Sequence, residues 1–224
     1  MSPDGLIASF EPIKPERKSQ AHYDDVFNER KRRIAYIRKH PKEWRMLRRY
    51  YQTHIADHVN DWGIHVDPRL IASGARAVMP FELFARQREL IDFWYDCWRS
   101  NQYGLTEKSR DVGASYCFVG FAIALGTLFD DMPIGLGSYK GEKVDNGPAD
   151  SGSLFWKVRE YLEWMPDFAV AGYVQKLHAQ ERKIYFPKTR SSIIGEIGDN
   201  IGRGGRTAVY GVDETAWLEH GLVV

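Results

Sequence analysis

The fold assignment of this chain rests on the sequence Glu107-Lys-Ser-Arg-Asp-Val-Gly-Ala-Ser115. A short predicted strand (103–108) leads into it, and a strongly apolar predicted helix (113–129) follows it. Loops that bind phosphate occupy this place between a strand and a helix, because the backbone amides at a helix N-terminus can cradle an anion. The stretch therefore predicts a phosphate-binding loop.

The loop departs at two positions from the common phosphate-binding pattern G-x-x-x-x-G-K-[ST]. Gly113 and Ser115 match its second glycine and its hydroxyl, which binds Mg²⁺ in such loops. Lys108 stands at the position of the first glycine, and Ala114 at that of the lysine. Taken alone, this partial match also fits an ordinary turn between a strand and a helix.

A second signal lies about 100 residues further along the chain, where an apolar predicted strand (208–212) ends in Asp213 and Glu214. In ATP-hydrolysing enzymes an aspartate at a strand end holds the Mg²⁺ shell, and a neighbouring carboxylate polarises the attacking water. Strand ends are often acidic by chance. The two signals together, in this order and at this spacing, favour an ATPase.

Gln87 lies upstream of the loop, in the sequence Pro80-Phe81-Glu82-Leu83-Phe84-Ala85-Arg86-Gln87. An amide side chain can bind the N6 and N7 edge of adenine with two hydrogen bonds. We therefore assign Gln87 to the adenine, on its position before the loop. A single glutamine on a helix is more often solvated.

The hydrophobic pattern divides the chain into three parts. Residues 1–20 contain three prolines and no periodicity, which predicts a flexible arm. Residues 21–62 have the pattern of helices broken at Pro41, and residues 63–224 alternate short strands with helices. This order predicts an α/β fold: an N-terminal helical segment followed by a P-loop NTPase core with a mainly parallel sheet flanked by helices.

The composition excludes several classes of protein. Hydrophobic residues make up 43% and charged residues 27%, so the chain is not largely disordered. Two cysteines form no disulfide framework, and the longest apolar run (116–129) is too short to span a bilayer. We expect a soluble, intracellular protein that is not secreted and does not contact a membrane.

Positive charge is concentrated near the N-terminus, although the formal net charge is only +1. Ten lysines and arginines fall between Arg30 and Arg49, with aromatic residues among them. Such a cluster could contact DNA phosphates. A solvated helical hairpin has the same pattern, so both interpretations stay open.

Two other groups of residues have structural interpretations. His54 and His58 have a zinc-binding spacing on a predicted helix, but no third ligand accompanies them, which favours a solvated helix face. Cys117 fits core packing. The tryptophans at amphipathic positions are assigned to the core in the same way: Trp94, Trp98, Trp156 and Trp164.

These motifs together resemble the large terminase subunit of tailed bacteriophages, the motor that packages viral DNA into procapsids. The resemblance is carried by the 107–115 loop, the upstream 80–87 segment, the Gly195-Glu-Ile-Gly-Asp-Asn-Ile-Gly-Arg-Gly-Gly-Arg206 block and the acidic pair. It covers roughly residues 60–224. In this family the loop lysine is often displaced to the start of the loop, as Lys108 is here.

The resemblance implies a role for each matching residue, with ATP and Mg²⁺ as cofactors. Lys108 would contact the β- and γ-phosphates, Ser115 and Asp213 would hold Mg²⁺, and Glu214 would orient the hydrolytic water. Arg110 would stabilise the γ-phosphate. The implied nucleotide site comprises Gln87 and the loop residues Lys108, Ser109, Arg110, Asp111, Val112, Gly113, Ala114 and Ser115. Asp111 departs from the glutamine common in the family, which leaves its role open.

The resemblance also implies partners and a location. These are double-stranded viral DNA, a portal protein, a small terminase subunit and further copies of the chain in a ring, all in the host cytoplasm at the procapsid. The chain corresponds to the N-terminal ATPase portion of the family. We therefore expect no nuclease activity from it.

Arg203 and Arg206 lie in a glycine-rich loop before the acidic strand. A mobile arginine there could reach the nucleotide of a neighbouring subunit in a ring. An ion pair with Asp199 or Glu196 is the alternative, and the sequence favours neither.

Two other functions stay open. The chain could be a helicase-like P-loop ATPase unconnected to packaging, which would require helicase motifs downstream. It could also be a non-hydrolysing fragment that docks through its N-terminal helices.

Overall fold

The computed structural model describes residues 20–74, 76–109, 112–198, 201–202 and 205–218, apart from the side chains of residues 20, 71 and 72. The arm predicted for residues 1–20 lies outside this range, except for residue 20, where the first helix begins. Among the described helices, none is long and apolar enough to cross a bilayer.

Three helices occupy the N-terminal segment: α1 (Gln20–Lys39), α2 (Pro41–Tyr51) and α3 (Ile55–Trp62). Pro41 stands in the first turn of α2, where a missing backbone N–H costs nothing and the fixed φ suits a helix. The helical pattern seen in the sequence over residues 21–62 is therefore present, with breaks after residues 39 and 51.

The remaining chain contains helices and strands in runs, and it does not show the regular alternation that the pattern predicts. Its elements in order are β1 (Ile64–Val66), β2 (Val78–Pro80), α4 (Ala85–Arg99), α5 (Ala114–Leu128), β3 (Pro133–Ser138), α6 (Gly141–Val144), α7 (Leu154–Trp164), α8 (Gln175–His178), β4 (Ala179–Gln180), β5 (Lys183–Phe186), β6 (Ser191–Ile197) and β7 (Val209–Asp213).

The main sheet corrects the fold prediction. Its five strands lie in the order β4-β5-β6-β3-β7, next to a separate two-stranded antiparallel sheet of β1 and β2. Strand β3 pairs in parallel with β6 and with β7, but β5 pairs antiparallel with both β4 and β6. The sheet is mixed, so the expected P-loop NTPase core with a mainly parallel sheet is wrong for this chain.

The lengths of the connections explain the antiparallel half of the sheet. Only residues 181–182 separate β4 from β5, and only residues 187–190 separate β5 from β6. A parallel pair needs a crossover of roughly ten or more residues, because the chain must return to the same end of the sheet. Two short turns therefore force hairpins here.

The strand predicted over residues 103–108 is also absent, since this segment has no regular secondary structure. Tyr103 and Leu105 are 89% and 79% exposed. A strand exists through pairing of its backbone groups, and among the described residues no strand lies beside this segment or along the outer edge of β7. Strand propensity alone does not hold the segment in a sheet.

Helix α5 forms the centre of the core. Of its 15 residues, 13 are buried. Two of its glycines allow close approach: a Cβ on Gly120 would lie 3.1 Å from Val59, and a Cβ on Gly126 would lie 2.5 Å from Phe186. The N-terminal helices and the sheet thus share one core through α5.

A buried ionic network joins α1 to α3. Arg33 pairs with Asp61 at 2.9 Å, and the Tyr51 hydroxyl donates to the same carboxylate at 2.5 Å. Arg30 donates to the backbone oxygens of Gly63 and Asn60. These hydrogen bonds compensate the burial of the charges. The bond from Arg30 to Gly63 also joins the N-terminal helices to the segment that follows the predicted domain boundary at residue 62.

His58 is fully buried, so the prediction of a solvated face for this histidine is wrong, while His54 is exposed. The His58 ring packs edge-on against Tyr51, and neither ring nitrogen has a hydrogen-bond partner among the described residues. Burial lowers the pKa of His58 to about 3. The imidazole is therefore neutral in the folded protein over the physiological pH range.

We predict that His58 makes the fold acid-sensitive. The unfolded chain binds the histidine proton below its ordinary pKa of about 6.5, whereas the folded chain resists it until about pH 3, so stability falls as pH falls between these values. The expected loss from His58 at pH 5 is about 2 kcal/mol. Urea unfolding at pH 7 and pH 5 measures this loss. Between these two pH values the free energy of unfolding of His58→Leu should fall by about 2 kcal/mol less than that of the wild-type protein. His54→Leu is the matched control and should leave the loss unchanged. Equal behaviour of the two variants would contradict this account.

Candidate active site

The sequence-predicted residues meet where β3 and β7 end and α5 begins. Ser115, in the first turn of α5, donates its hydroxyl hydrogen to Asp213 Oδ2 at 2.6 Å. Asp213 is the last residue of β7 and lies opposite Ser138, the last residue of β3. Two segments 98 residues apart in the sequence thus form one site.

The loop reaches α5 through a glycine with a left-handed backbone. Gly113 precedes the helix with φ of 74°, a conformation that costs other residues about 1–2 kcal/mol. Ala114 is buried at the helix start, whereas Ser109 and Val112 are exposed. The loop therefore leads directly into the N-terminus of a 15-residue helix, the kind of helix end that can bind an anion.

Lys108 lies on the opposite side of the acidic residue from Ser115. Its Nζ is 3.9 Å from Asp213 Oδ1, and about one third of its side chain (35%) is exposed. The displaced lysine therefore reaches the same carboxylate that Ser115 contacts, although it is five residues before Gly113. An amine at this place can neutralise a phosphate held by the loop.

Glu214 follows the strand in a strained conformation. Its φ is 59°, which is rare for a residue with a side chain, and its backbone N–H donates to Asp213 Oδ1 at 3.0 Å. Backbone strain of this kind costs of order 1–3 kcal/mol and is found mostly at functional sites. The turn separates the two carboxylates: Asp213 faces Ser115, and Glu214 is exposed.

A small cavity of about 70 Å³ lies at this point. It has room for about two water molecules at roughly 30 Å³ each, which suits a hydrated cation or one phosphate group and not a whole nucleotide. The cavity is lined by Ser115, Ser138, Lys143, Gly152, Leu154, Lys157, Asp213 and Glu214. Three of these, Ser138, Lys143 and Lys157, are polar residues that the sequence patterns did not identify.

One signal could have found Ser138. Parallel strands carry their functional residues at the edge where their carboxyl ends meet, and Ser138 lies near the end of an apolar segment with strand propensity (133–139). Lys143 and Lys157 have no such signal, because their places depend on how α6 and α7 fold back over the sheet.

The donor set fits Mg²⁺, which prefers oxygen ligands and keeps several waters. Ser115 and Asp213 supply a hydroxyl and a carboxylate oxygen 2.6 Å apart. Among the described residues no group of three or more His, Cys, Asp or Glu side chains could hold a metal alone. The ion would therefore depend on phosphate and water oxygens for its remaining ligands.

Gln87 braces the loop in this structure. Its Nε2 donates to the Val112 carbonyl at 2.9 Å, and its Oε1 accepts from the Phe84 N–H at 2.9 Å. A Cβ on Gly113 would come within 2.7 Å of the same amide nitrogen. Both ends of the amide are engaged, so binding of adenine by Gln87 stays a prediction that requires an exchange of these partners.

The arginines expected to contact phosphate are mostly outside the described residues. Arg110 and Arg203 lie there, as does Asp111. Arg206 is exposed and forms no ion pair with a described residue. Glu196, one of its two suggested partners, accepts from the Gly202 N–H at 2.6 Å instead.

Two glycines in the strands make room for aromatic rings beside the site. A Cβ on Gly135 of β3 would lie 2.2 Å from the Tyr210 ring, and a Cβ on Gly211 of β7 would lie 1.7 Å from the Phe118 ring. The sheet therefore needs glycine where these rings pack. Their packing fixes β3 and β7 against each other and against α5.

The N-terminal basic cluster divides into structural and exposed cations. Arg30 and Arg33 are buried in the α1–α3 network, and Arg38 and Arg48 pair with Asp167 and Asp130. The remaining cations of α2 are exposed and form no ion pair with a described residue: Lys42, Arg45 and Arg49. We call these three residues the α2 stripe, because their spacing of three and four places them on one helix face.

A larger surface groove of about 940 Å³ lies elsewhere, between α1 and the chain after α7. We call it the α1–α7 groove. Its lining includes Lys31, Trp164, Tyr173 and Lys188, and its Arg38 is paired with Asp167. The described residues that line it include no serine, threonine, cysteine or histidine. The chemistry indicated by the sequence lies in the smaller cavity.

A comparison with known protein families found no match, and a search of curated proteins found no significant match.

Proposed function

We propose that this chain is an ATP-hydrolysing motor domain of the terminase type, which drives double-stranded DNA into a viral procapsid. One observation supports the hydrolysis most strongly: Ser115, Asp213 and Glu214 line one cavity, and Lys108 Nζ lies 3.9 Å from Asp213 Oδ1. The proposal rests on this local site and not on the sheet topology.

Each residue then has a task in phosphoryl transfer, where positioning and charge neutralisation supply most of the catalysis. Ser115 and Asp213 hold Mg²⁺, which offsets the charge of the phosphates. Lys108 binds the phosphates from the loop side. Glu214 orients a water whose oxygen attacks the γ-phosphorus, and the bond from that phosphorus to the bridging oxygen breaks, leaving ADP and phosphate.

The site should separate binding from turnover in mutants. Glu214→Gln keeps the metal and phosphate ligands, so we expect Mg-ATP affinity to be retained and hydrolysis to fall at least about tenfold, equivalent to roughly 1.4 kcal/mol in the barrier. Lys108→Ala should reduce ATP hydrolysis by at least the same factor and also weaken Mg-ATP binding. Asp213→Asn should raise the Mg²⁺ concentration that half-maximal hydrolysis requires. Phosphate release and equilibrium nucleotide binding measure these effects.

Lys183→Ala is the control, because this exposed lysine lies on β5 at the far side of the sheet. Normal hydrolysis by folded Glu214→Gln would contradict the catalytic role. If the wild-type chain binds Mg-ATP without turning it over, the non-hydrolysing docking fragment becomes the better proposal. If it hydrolyses ATP, helicase motifs downstream would favour the helicase-like alternative.

Double-stranded DNA is the proposed polymer substrate, and the α2 stripe is the surface that supports it. Three cations on one helix face, none of them paired with a residue that the structure describes, match the row of charges on a phosphate backbone. The exposed cations at the end of α1 adjoin them, among them Lys39. An acidic protein partner would meet the same charges but would not show the salt dependence of counterion release.

Replacing the stripe tests this surface. The triple variant Lys42→Ala, Arg45→Ala, Arg49→Ala should bind duplex DNA more weakly and reduce the slope of log affinity against log salt by about two to three. A control with the exposed lysines Lys176, Lys183 and Lys188 changed to alanine removes equal charge elsewhere. Equal slopes for the two triple variants would contradict a DNA site on α2.

The portal protein, the small terminase subunit and a ring of copies are proposed from the resemblance alone. In such a ring Arg203 or Arg206 would act on the nucleotide of a neighbouring subunit, and Arg110 would act within its own. The exposure of Arg206 supports a role at an interface over an ion pair with Glu196.

A further inference from the structure

The cavity beside Asp213 has a second wall, opposite the 107–115 loop. It is formed by Ser138 at the end of β3, Lys143 in α6 and Lys157 in α7. We call these three residues the second wall. The loop lacks the usual lysine, since Ala114 stands in its place, yet two lysines face the cavity from the other side.

Lys157 is held in a fixed position at this wall. Its Nζ donates to the carbonyl oxygens of Gly152 and Ser153, at 2.9 Å and 3.3 Å, at the start of α7. The helix beneath it is anchored by buried residues on its inner face: Leu154, Phe155, Val158, Tyr161 and Leu162. An ammonium group has three N–H donors, so one donor is left for a ligand.

The charges around Lys157 belong to the site. Asp213 and Glu214 act on its ammonium through space, as do Asp150 and Lys143, and burial of the amine lowers the pKa of Lys157 despite the carboxylates. Burial of this cation costs free energy, and the neighbouring carboxylates compensate it only in part, since the pKa of Lys157 stays lowered. Binding of a phosphate would relieve this cost.

Ser138 provides an independent observation. Its side chain is 1% exposed, its Oγ has no hydrogen-bond partner among the described residues, and it lines the same cavity. Buried hydroxyls are nearly always hydrogen-bonded, so an unpaired one that lines a cavity indicates a missing ligand. A phosphate oxygen or a water bound to the metal would satisfy it.

We propose that Lys157, with the Ser138 hydroxyl, binds the terminal phosphate of ATP from the side opposite the loop and so supplies the charge that Ala114 cannot. This inference rests on the proposed ATPase function. The cavity has room for about one phosphate group and not for a whole nucleotide, and we assign that place to the γ-phosphate. ADP, which lacks that group, gains little from it.

The ratio of ATP to ADP affinity tests this role. With Mg²⁺ present, Lys157→Met should weaken ATP binding at least about tenfold and ADP binding less than about twofold, because only ATP carries the γ-phosphate. Lys157→Arg should restore most of the ATP affinity. Lys183→Met is the control and should change neither affinity. Titration calorimetry of the full chain with both nucleotides provides the measurement.

Other outcomes overturn the inference in distinguishable ways. Equal weakening of ATP and ADP by Lys157→Met, with a lower melting temperature, assigns the lysine to the support of α7. If Lys157→Met leaves the ATP affinity unchanged, Lys157 does not contact the phosphate. The ATPase proposal still stands in that case if Lys108→Ala loses ATP binding. If wild-type protein binds no Mg-ATP, both proposals fail. Should Lys157→Met not fold, Ser138→Ala provides the second readout: a lower ATP affinity at unchanged ADP affinity supports the second wall, and an unchanged ratio overturns it.

Discussion

Burial of α5 on nearly every side is the constraint on which the rest of the structure depends. Its 13 buried residues contact the N-terminal helices on one side and the sheet on the other, and close packing at Gly120 and Gly126 sets both distances. An apolar helix enclosed in this way can open to ligands only at an end. In α5 that end is the N-terminus, which carries Ser115 and follows Gly113.

The site is a consequence of that placement. The N-terminus of α5 lies beside the end of β7, so Ser115 meets Asp213 at 2.6 Å, and the preceding loop brings Lys108 to the same carboxylate. Parallel pairing of β3 with β7 then puts Ser138 next to Asp213, and α7 closes the cavity with Lys157. The positive N-terminal end of α5, the lysines and the carboxylates together form a place where a metal ion and a phosphate can bind.

Much of the local structure was predictable from periodicity and turn residues. Helix α5 and strand β7 lie where the hydrophobic pattern predicts a helix (113–129) and a strand (208–212), and Gly113 has a left-handed backbone at the helix start. The pairing of Ser115 with Asp213 follows from two motifs that share one chemistry. These features depend on short stretches of sequence.

What depends on neighbouring elements was predicted less well. The sheet was expected to be mainly parallel because strand propensity says nothing about strand direction. In the structure the four-residue connection 187–190 makes β5 and β6 a hairpin. The segment 103–108 has strand propensity but no neighbouring strand among the described residues. His58 was expected in solvent and is buried against Tyr51, and the second wall comes from elements far from the loop in sequence.

The central claim is that the 107–115 loop and the end of β7 form one site for a metal–nucleotide complex. Nuclear magnetic resonance with Mn²⁺-ATP tests it most directly, because the paramagnetic ion broadens signals steeply with proximity. The amide signals of Gly113 to Tyr116, Ser138 and Val212 to Glu214 should broaden first, and those of the α1–α7 groove should persist. Broadening centred on that groove, or none at saturating Mn²⁺-ATP, would contradict the claim.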